Sequence, residues 1–174
     1  MQKGLFLDRD GVINVEKNYL YKIEDFEFID GIFYSLKKIQ DLGYKIFIIT
    51  NQSGIGRNYY TIDDFNKLTS WMIEEFKKNE IIISQVQLCP HGPNDNCTCR
   101  KPKTGMIDNI LKKYDIDLAN SWLVGDKSSD IKCAKNAGIL NTIQVKTGHK
   151  FNDNESEANY ICESIKDIYK IIDS

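Results

Sequence analysis

The segment GLFLDRDGVIN sets Asp8 and Asp10 one residue apart at the end of an apolar run, Leu5 to Leu7, with Gly11 directly behind them. An apolar stretch that stops at paired carboxylates reads as a buried strand delivering acids to its C-terminal edge. Open parallel sheets keep their chemistry at that edge. One carboxylate of such a pair can attack phosphorus while its neighbour moves the leaving group's proton, and a divalent cation offsets the charge they gather. Alone, the DxDG pattern is equally a surface turn. Three later segments add parts to it: IFIITNQSGIG ends an apolar run in Thr50 and Asn51, CRKP supplies Arg100 and Lys101, and WLVGDKSSD ends a short apolar run in Gly125 and Asp126. Singly, each has an ordinary reading. Thr50 could satisfy backbone groups at a strand end, Lys101 could be a solvated charge, and Asp126 could cap the following helix. Jointly they give an acid pair, a hydroxyl, a lysine and a third acid, the parts that hydrolysis of a phosphate monoester requires.

A second cluster lies in LCPHGPNDNCTCRKP, where Cys89 and His91 form C-x-H, Cys97 and Cys99 form C-x-C, and five residues separate the pairs. Three thiolates and one imidazole match a closed tetrahedral zinc site, so Zn2+ here is expected to be structural, stapling a polar loop that cannot bury enough apolar surface to order itself. A disulfide framework fits less well, because the chain has five cysteines and no sign of an oxidising compartment. Cys133 and Cys162 lie outside the cluster and read as core.

The ordered set of motifs resembles the haloacid dehalogenase superfamily of phosphatases, and the resemblance covers nearly the whole chain. It implies that Asp8 is the nucleophile that becomes an aspartyl phosphate and that Asp10 is the proton donor and later the base. Thr50 would hydrogen-bond the transferring phosphoryl group, with backbone amides at Asn51, Gln52 and Ser53 available for the same purpose. Lys101 would neutralise the nucleophile and phosphate oxygens. Catalytic Mg2+ would be held by Asp8, Asp126 and the backbone carbonyl of Asp10, with Asp130 behind them holding Lys127 or the magnesium waters. Within the superfamily, the CxH…CxC loop running into CRKP is similar to one small branch, the heptose bisphosphate phosphatases and the histidinol-phosphate phosphatases, both without a large cap. TNQSGIGR, the Gly105–Met106 pair in KPKTGM and GDK favour the heptose side; the short zinc loop points the other way, and Thr104 stands where that group commonly has proline. On that resemblance the substrate is a small phosphorylated sugar that loses its C7 phosphate. Glu16, Lys17, Asn18 and Tyr19 would contact the sugar, and Arg100 and Lys127 would meet its hydroxyls or distal phosphate.

The elements that must position these groups alternate along the chain. Strand-like runs at Leu5–Leu7, Lys45–Ile49, Gln85–Leu88, Trp122–Val124 and Thr142–Val145 are separated by helical patterns at Ile32–Leu42, Ile62–Lys78, Gly105–Tyr114 and Asp130–Ala137, and the tail 160–172 closes with a short extended piece and a helix. Repeated βα units predict a three-layer α/β/α, Rossmann-like domain over 1–174, with a central parallel sheet, a minimal cap and a zinc-stapled loop. Thr61, followed by Asp63 and Asp64, signals the start of the long helix.

Composition limits the partners. With 23 basic and 25 acidic residues the net charge is −2, which offers no general attraction to nucleic acid or an anionic membrane. A zinc-knuckle binding module without catalysis would need a basic, aromatic face around the cysteines. Only Arg100, Lys101 and Lys103 are basic there, and GPNDN carries no aromatic. The expectation is a cytoplasmic enzyme with no membrane or nucleic-acid partner, acting as a monomer.

Overall fold

A computed structural model describes residues 1–174. Strands β1 (Gly4–Leu7), β2 (Lys45–Asn51), β3 (Ile83–Cys89), β4 (Trp122–Gly125), β5 (Asn141–Val145) and β6 (Tyr160–Cys162) form one sheet in the order β3-β2-β1-β4-β5-β6. Every pairing is parallel. Helices α1 (Ile32–Asp41), α2 (Ser53–Gly56), α3 (Ile62–Lys78), α4 (Gly105–Leu111), α5 (Ser128–Ala137) and α6 (Ile168–Ile172) lie between and after the strands.

Strand alternation explains the layers. Leu5 and Leu7 point to one face of β1 and join Ile46, Ile48, Val124, Ile143 and the buried faces of α1, α3 and α6 in one apolar cluster. Phe6 points to the other face and joins Phe47, Ile49, Leu123, α4 and α5 in a second. A sheet buried on both faces needs nearly continuous apolar strands, which is what GLFL, KIFIIT and WLVG supply. Buried apolar residues recur at helical spacing along α3, Phe65, Leu68, Met72 and Phe76, and the last three meet the first cluster. A reciprocal capping box starts that helix: Asp64 N–H donates to Thr61 Oγ1 at 3.1 Å and Thr61 N–H to Asp64 Oδ2 at 2.8 Å.

Two expectations are corrected in detail. The helix read as Gly105–Tyr114 stops at Leu111, because Tyr114 turns to donate its hydroxyl to Ser84 O at 2.9 Å and sets its ring edge against Phe47. The single turn α2 is too short for a helical period to show in the sequence. Cys133 is buried in the core, whereas Cys162, on edge strand β6, is only partly buried against it.

The strand order runs outward from β1 in one direction and then, from β4, in the other. The crevice beyond the C-terminal ends of β1 and β4 is therefore the topological switch point, where open α/β sheets bind ligands. No domain is inserted there. Between β1 and α1 the chain forms only a 3-10 turn, Ile23–Asp25, and two isolated bridges that tie Asn14 to Asp10 and Phe28. No helix is long and apolar enough to cross a membrane.

Candidate active site

β1 and β4 deliver acids to the switch point from adjacent strands. Asp8 follows β1 directly, Asp126 follows β4, and Asp130 folds back from the first turn of α5. Their carboxylate oxygens lie within 4.8 Å of one another. Two glycines make the approach possible. Gly11 has φ +83°, and a Cβ there would fall 2.6 Å from Asp126 Oδ2. A Cβ on Gly125 would fall 2.2 Å from that of Asp130.

Lys101 enters this acidic cluster from the loop before α4. Its Nζ lies 2.9 Å from Asp8 Oδ1 and 2.7 Å from Asp130 Oδ1, and donates to Ile49 O at 2.9 Å. All three ammonium protons are thereby used. Burial works against the charge on Lys101, but Asp130 and Asp8 outweigh it and hold the ammonium above its ordinary range. Burial pushes the Asp8 carboxyl well above the usual carboxylate range; Lys101 pulls it down, while Asp130 and Asp126 push it further up. Three carboxylates against one ammonium leave two negative charges when all are ionised. Asp126 Oδ2 accepts from the His149 backbone N–H at 2.8 Å and contacts His149 Nδ1 at 2.8 Å, whereas its Oδ1 is buried with no partner. Both protein contacts of Asp8 fall on Oδ1. An all-oxygen donor set with an orphaned oxygen and two surplus negative charges fits a hard divalent cation such as Mg2+.

Asp10 sits in a different environment. Arg9, almost fully buried, donates through Nη2 to both Asp10 oxygens at 3.0 and 3.1 Å and to Leu20 O at 2.9 Å. Asn14 and Gln52 each add a bond to the carboxylate at 3.0 Å. Burial alone would raise its pKa, but Arg9, Asn14 and Gln52 together hold the Asp10 carboxyl below its ordinary value. Thr50 is buried at the end of β2, and its Oγ1 accepts from Gln52 Nε2 at 2.8 Å.

Asp8, Asp10, Lys101 and Asp130 line a cavity of about 340 Å³, at the small end of the roughly 300–1,000 Å³ typical of ligand sites; Thr50 and Asp126 are fully buried and do not line it. Of the residues expected to meet substrate, Glu16, Asn18, Tyr19, Asn51, Gln52, Ser53, Arg100 and Lys127 line it. Lys17 does not; its ammonium donates to Asp25 O at 2.9 Å and pairs with Glu27 at 3.4 Å. The backbone amide of Gln52 is also spent, donating to Cys89 O at 2.7 Å, so it is not free for a phosphate. Asp130 holds Lys127 by its backbone, accepting the Lys127 N–H at 3.1 Å, and also pairs with Lys101. Arg57, Tyr60, Ser129 and His149 line the cavity without having been singled out in the sequence. Arg57 follows the TNQSGIG run at once, and that position was the available signal for it. Arg57, Arg100 and Lys127 form no ion pair with any carboxylate, unlike Lys101, so the cavity carries cationic capacity beyond its acidic centre.

Beside the cavity, Cys89, His91, Cys97 and Cys99 converge, their ligand atoms within 4.8 Å of one another. Cys89 Sγ lies 3.8 Å from Cys97 Sγ and 3.6 Å from His91 Nδ1, and His91 Nδ1 lies 3.4 Å from Cys99 Sγ. A tetrahedron with Zn–S bonds of about 2.3 Å has edges of about 3.8 Å, so the spacing is compatible with zinc. No cysteine is in a disulfide.

Comparison with known proteins places this arrangement in context. Residues 98–168 match the HAD-hydrolase-like family model. The chain is 51% identical over 154 residues to a D-glycero-alpha-D-manno-heptose-1,7-bisphosphate 7-phosphatase of Photorhabdus laumondii, covering 84% of each chain. It is 40% identical over 179 residues to a D-glycero-beta-D-manno-heptose-1,7-bisphosphate 7-phosphatase of Pasteurella multocida, covering 99% of this chain and 97% of that one. Among solved structures, the D,D-heptose 1,7-bisphosphate phosphatase of B. bronchiseptica, complexed with magnesium and phosphate, superposes with a TM-score of 0.85 at 28% identity, covering 98% of this chain and 97% of the other.

Proposed function

Since the chain belongs to the haloacid dehalogenase-like hydrolases, among the heptose-1,7-bisphosphate 7-phosphatases, we propose that it is a magnesium-dependent phosphatase. It removes the C7 phosphate of D-glycero-D-manno-heptose 1,7-bisphosphate and leaves heptose 1-phosphate for activated-heptose synthesis, with 1–174 acting as one catalytic domain, a cytoplasmic monomer. The observation that carries the chemistry is the convergence of Asp8, Asp126 and Asp130 around the fully engaged Lys101 at the switch point. The unpaired Arg57, Arg100 and Lys127 supply cations for a second phosphate, which a monophosphate would leave unused.

In this reading a carboxylate oxygen of Asp8 attacks phosphorus in line with the C7 oxygen, forming an aspartyl phosphate as the phosphorus–oxygen bond to the sugar breaks. Asp10 gives its proton to the departing alkoxide, then takes one from the water that cleaves the intermediate to orthophosphate. Without substrate Asp10 is ionised, held so by Arg9, Asn14 and Gln52. The dianionic phosphate raises its proton affinity on arrival, because a neighbouring like charge disfavours the carboxylate, and Asp10 takes up a proton from solvent before the transfer. Thr50 donates to a phosphoryl oxygen, and Lys101 holds Asp8 in place while balancing charge. Asp8, Asp126 and the Asp10 carbonyl would hold magnesium, which would supply positive charge against the phosphoryl oxygens.

Phosphate release by the magnesium-loaded protein, with both anomers of heptose 1,7-bisphosphate and histidinol phosphate offered in parallel, tests the assignment. Preferential hydrolysis of a heptose anomer at C7 is expected; a preference for histidinol phosphate would overturn the substrate while leaving the mechanism standing.

Magnesium binding is itself expected to release protons. Asp8 is held well above the usual carboxylate range by burial and by its acidic neighbours, so the metal-free protein carries a proton there at pH values where an ordinary carboxyl does not. Magnesium, which needs the carboxylate, displaces that proton, and its affinity rises with pH until Asp8 is fully ionised. Calorimetric titrations in buffers of different ionisation enthalpy read the proton count directly. A binding enthalpy independent of the buffer throughout the acidic range would contradict it.

A further inference from the structure

Gln52 stands between two groups of the proposed mechanism, and its orientation is set by a residue outside them. The side chain is buried, 3% exposed. Its Nε2 donates one proton to Asp10 Oδ2 at 3.0 Å and the other to Thr50 Oγ1 at 2.8 Å. Both amide protons are therefore committed, and the Oε1 has one partner, the hydroxyl of Tyr60. Reversing the amide would aim its carbonyl oxygen at the Asp10 carboxylate, acceptor against acceptor.

Tyr60 is held as firmly as Gln52. It is 6% exposed, its ring stacks on Tyr21 with centroids 5.2 Å apart and planes 10° apart, and Gly54 gives it room on another side, where a Cβ would fall 2.2 Å from the ring. Burial pushes the phenol up to about 12, with Arg9 pulling it down and Asp10 adding to the rise. The hydroxyl is thus a donor throughout the neutral range.

We propose that Tyr60 is a positioning residue for the phosphatase reaction: its hydroxyl fixes the Gln52 amide so that one NH2 group serves Asp10 and Thr50 together. This rests on the mechanism given above. Thr50, by accepting from Gln52, keeps its only proton for the phosphoryl oxygen. Asp10 is held between Arg9, Asn14 and Gln52 in one rotamer. Without the Tyr60 hydroxyl, Gln52 Oε1 is a buried acceptor with no partner, and the side chain turns to find one, leaving both groups it served. Thr50 and Asp10 act as the phosphoryl group transfers, so the loss falls on turnover rather than on ground-state binding.

The test is Tyr60→Phe, which keeps the ring and its stacking, in wild-type and Gln52→Ala backgrounds. In the wild-type background kcat for heptose 1,7-bisphosphate is expected to fall about tenfold with KM within about twofold. In the Gln52→Ala background the same substitution should have no further effect, because the hydroxyl then has nothing to hold. In 15N-edited NMR spectra of the protein without substrate, the Gln52 side-chain amide pair should be dispersed and slow to exchange, and should shift and exchange faster in Tyr60→Phe. A rise in KM at constant kcat would make Tyr60 a direct substrate contact and overturn the proposal. So would equal losses in both backgrounds, or a Gln52 amide that Tyr60→Phe leaves unmoved. If Tyr60→Phe did not fold, wild-type exchange would decide: Gln52 amide protons exchanging at the solvent-exposed rate would overturn it. Failure of the wild-type protein to hydrolyse any phosphate monoester would refute the phosphatase reading instead, and the NMR comparison would still report on the Tyr60–Gln52 contact.

Discussion

Asp8→Asn is expected to lower kcat by at least about 10^4-fold, because the amide keeps the shape of the side chain and loses the nucleophile on which covalent transfer depends. The same substitution should stabilise the metal-free protein. Asp8, Asp126 and Asp130 crowd three carboxylates around Lys101, and burial together with these neighbours already drives Asp8 toward its protonated form. A neutral Asn needs neither ionisation nor a bound proton at this buried acidic position, and its Oδ1 can still accept from the Arg9 amide, as Asp8 Oδ1 does at 2.8 Å. Relief of about 1 kcal/mol would raise Tm by roughly 2–4 °C in a chain of this size. The gain from added magnesium should shrink in parallel. The measurements are phosphate release and thermal melts with and without magnesium, on protein whose intact mass excludes deamidation back to Asp. Retention of more than about a hundredth of wild-type turnover would reject the covalent mechanism. A fall in the metal-free Tm would reject the account of the crowded carboxylates.

The acids of this cluster were legible in the sequence because each ends a strand or opens a helix, and the alternation of apolar runs places strand ends at one edge. Asp8 after GLFL and Asp126 after WLVG needed only the parallel order to meet. The zinc candidates were legible for a local reason, four ligand-type residues within eleven positions. Contacts made by loops across the fold were not. His149 reaches Asp126 from beyond β5, in a stretch whose composition says only that it is polar. Tyr60 reads as one more aromatic before a helix cap, and its hydroxyl finds Gln52 only because Gly54 lets the turn close beneath its ring. Lys17 shows the converse. It sits among cavity-lining residues in sequence, but backbone geometry at Asn18 and Tyr19, both with positive φ, points its neighbours inward while Lys17 serves Asp25 and Glu27 outside. Polar side chains in a loop have no periodicity from which a direction could be read.

We propose that Cys89, His91, Cys97 and Cys99 hold a structural zinc ion, whose removal is expected to cost about 100-fold or more in kcat/KM even with magnesium saturating, although none of these four residues lines the cavity. The reason is the bonding between the Cys89–Cys99 loop and the reacting groups. Cys89 O accepts the Gln52 amide at 2.7 Å, Pro90 O accepts the Gly56 amide at 3.0 Å, and Gly105 N–H donates to Thr98 O at 3.0 Å. The Asn51 side chain accepts from Lys101 N–H at 3.0 Å, and Arg100 donates to His91 O at 3.1 Å. Lys101 is thus held from the metal side through Cys99 and Arg100 and from β2 through Asn51. Ordering each loop residue costs about 1–2 kcal/mol of backbone entropy, and HGPNDN offers almost no apolar surface to offset it. With the metal gone, Asn51 on the backbone and Asp8, Asp130 and Ile49 O on the ammonium are left to hold Lys101 against a mobile neighbour, and a displacement of about 1 Å in a group this close to the reacting atoms is enough for a loss of about 100-fold. Chelation or Cys99→Ser should therefore abolish most turnover, leave the far-UV circular dichroism of the sheet and helices in place, and quicken tryptic cleavage after Arg100 and Lys103. Full turnover by a zinc-free, folded protein with magnesium restored would show that the Asn51 and Asp130 contacts hold Lys101 on their own, and that the metal orders only the loop that carries it.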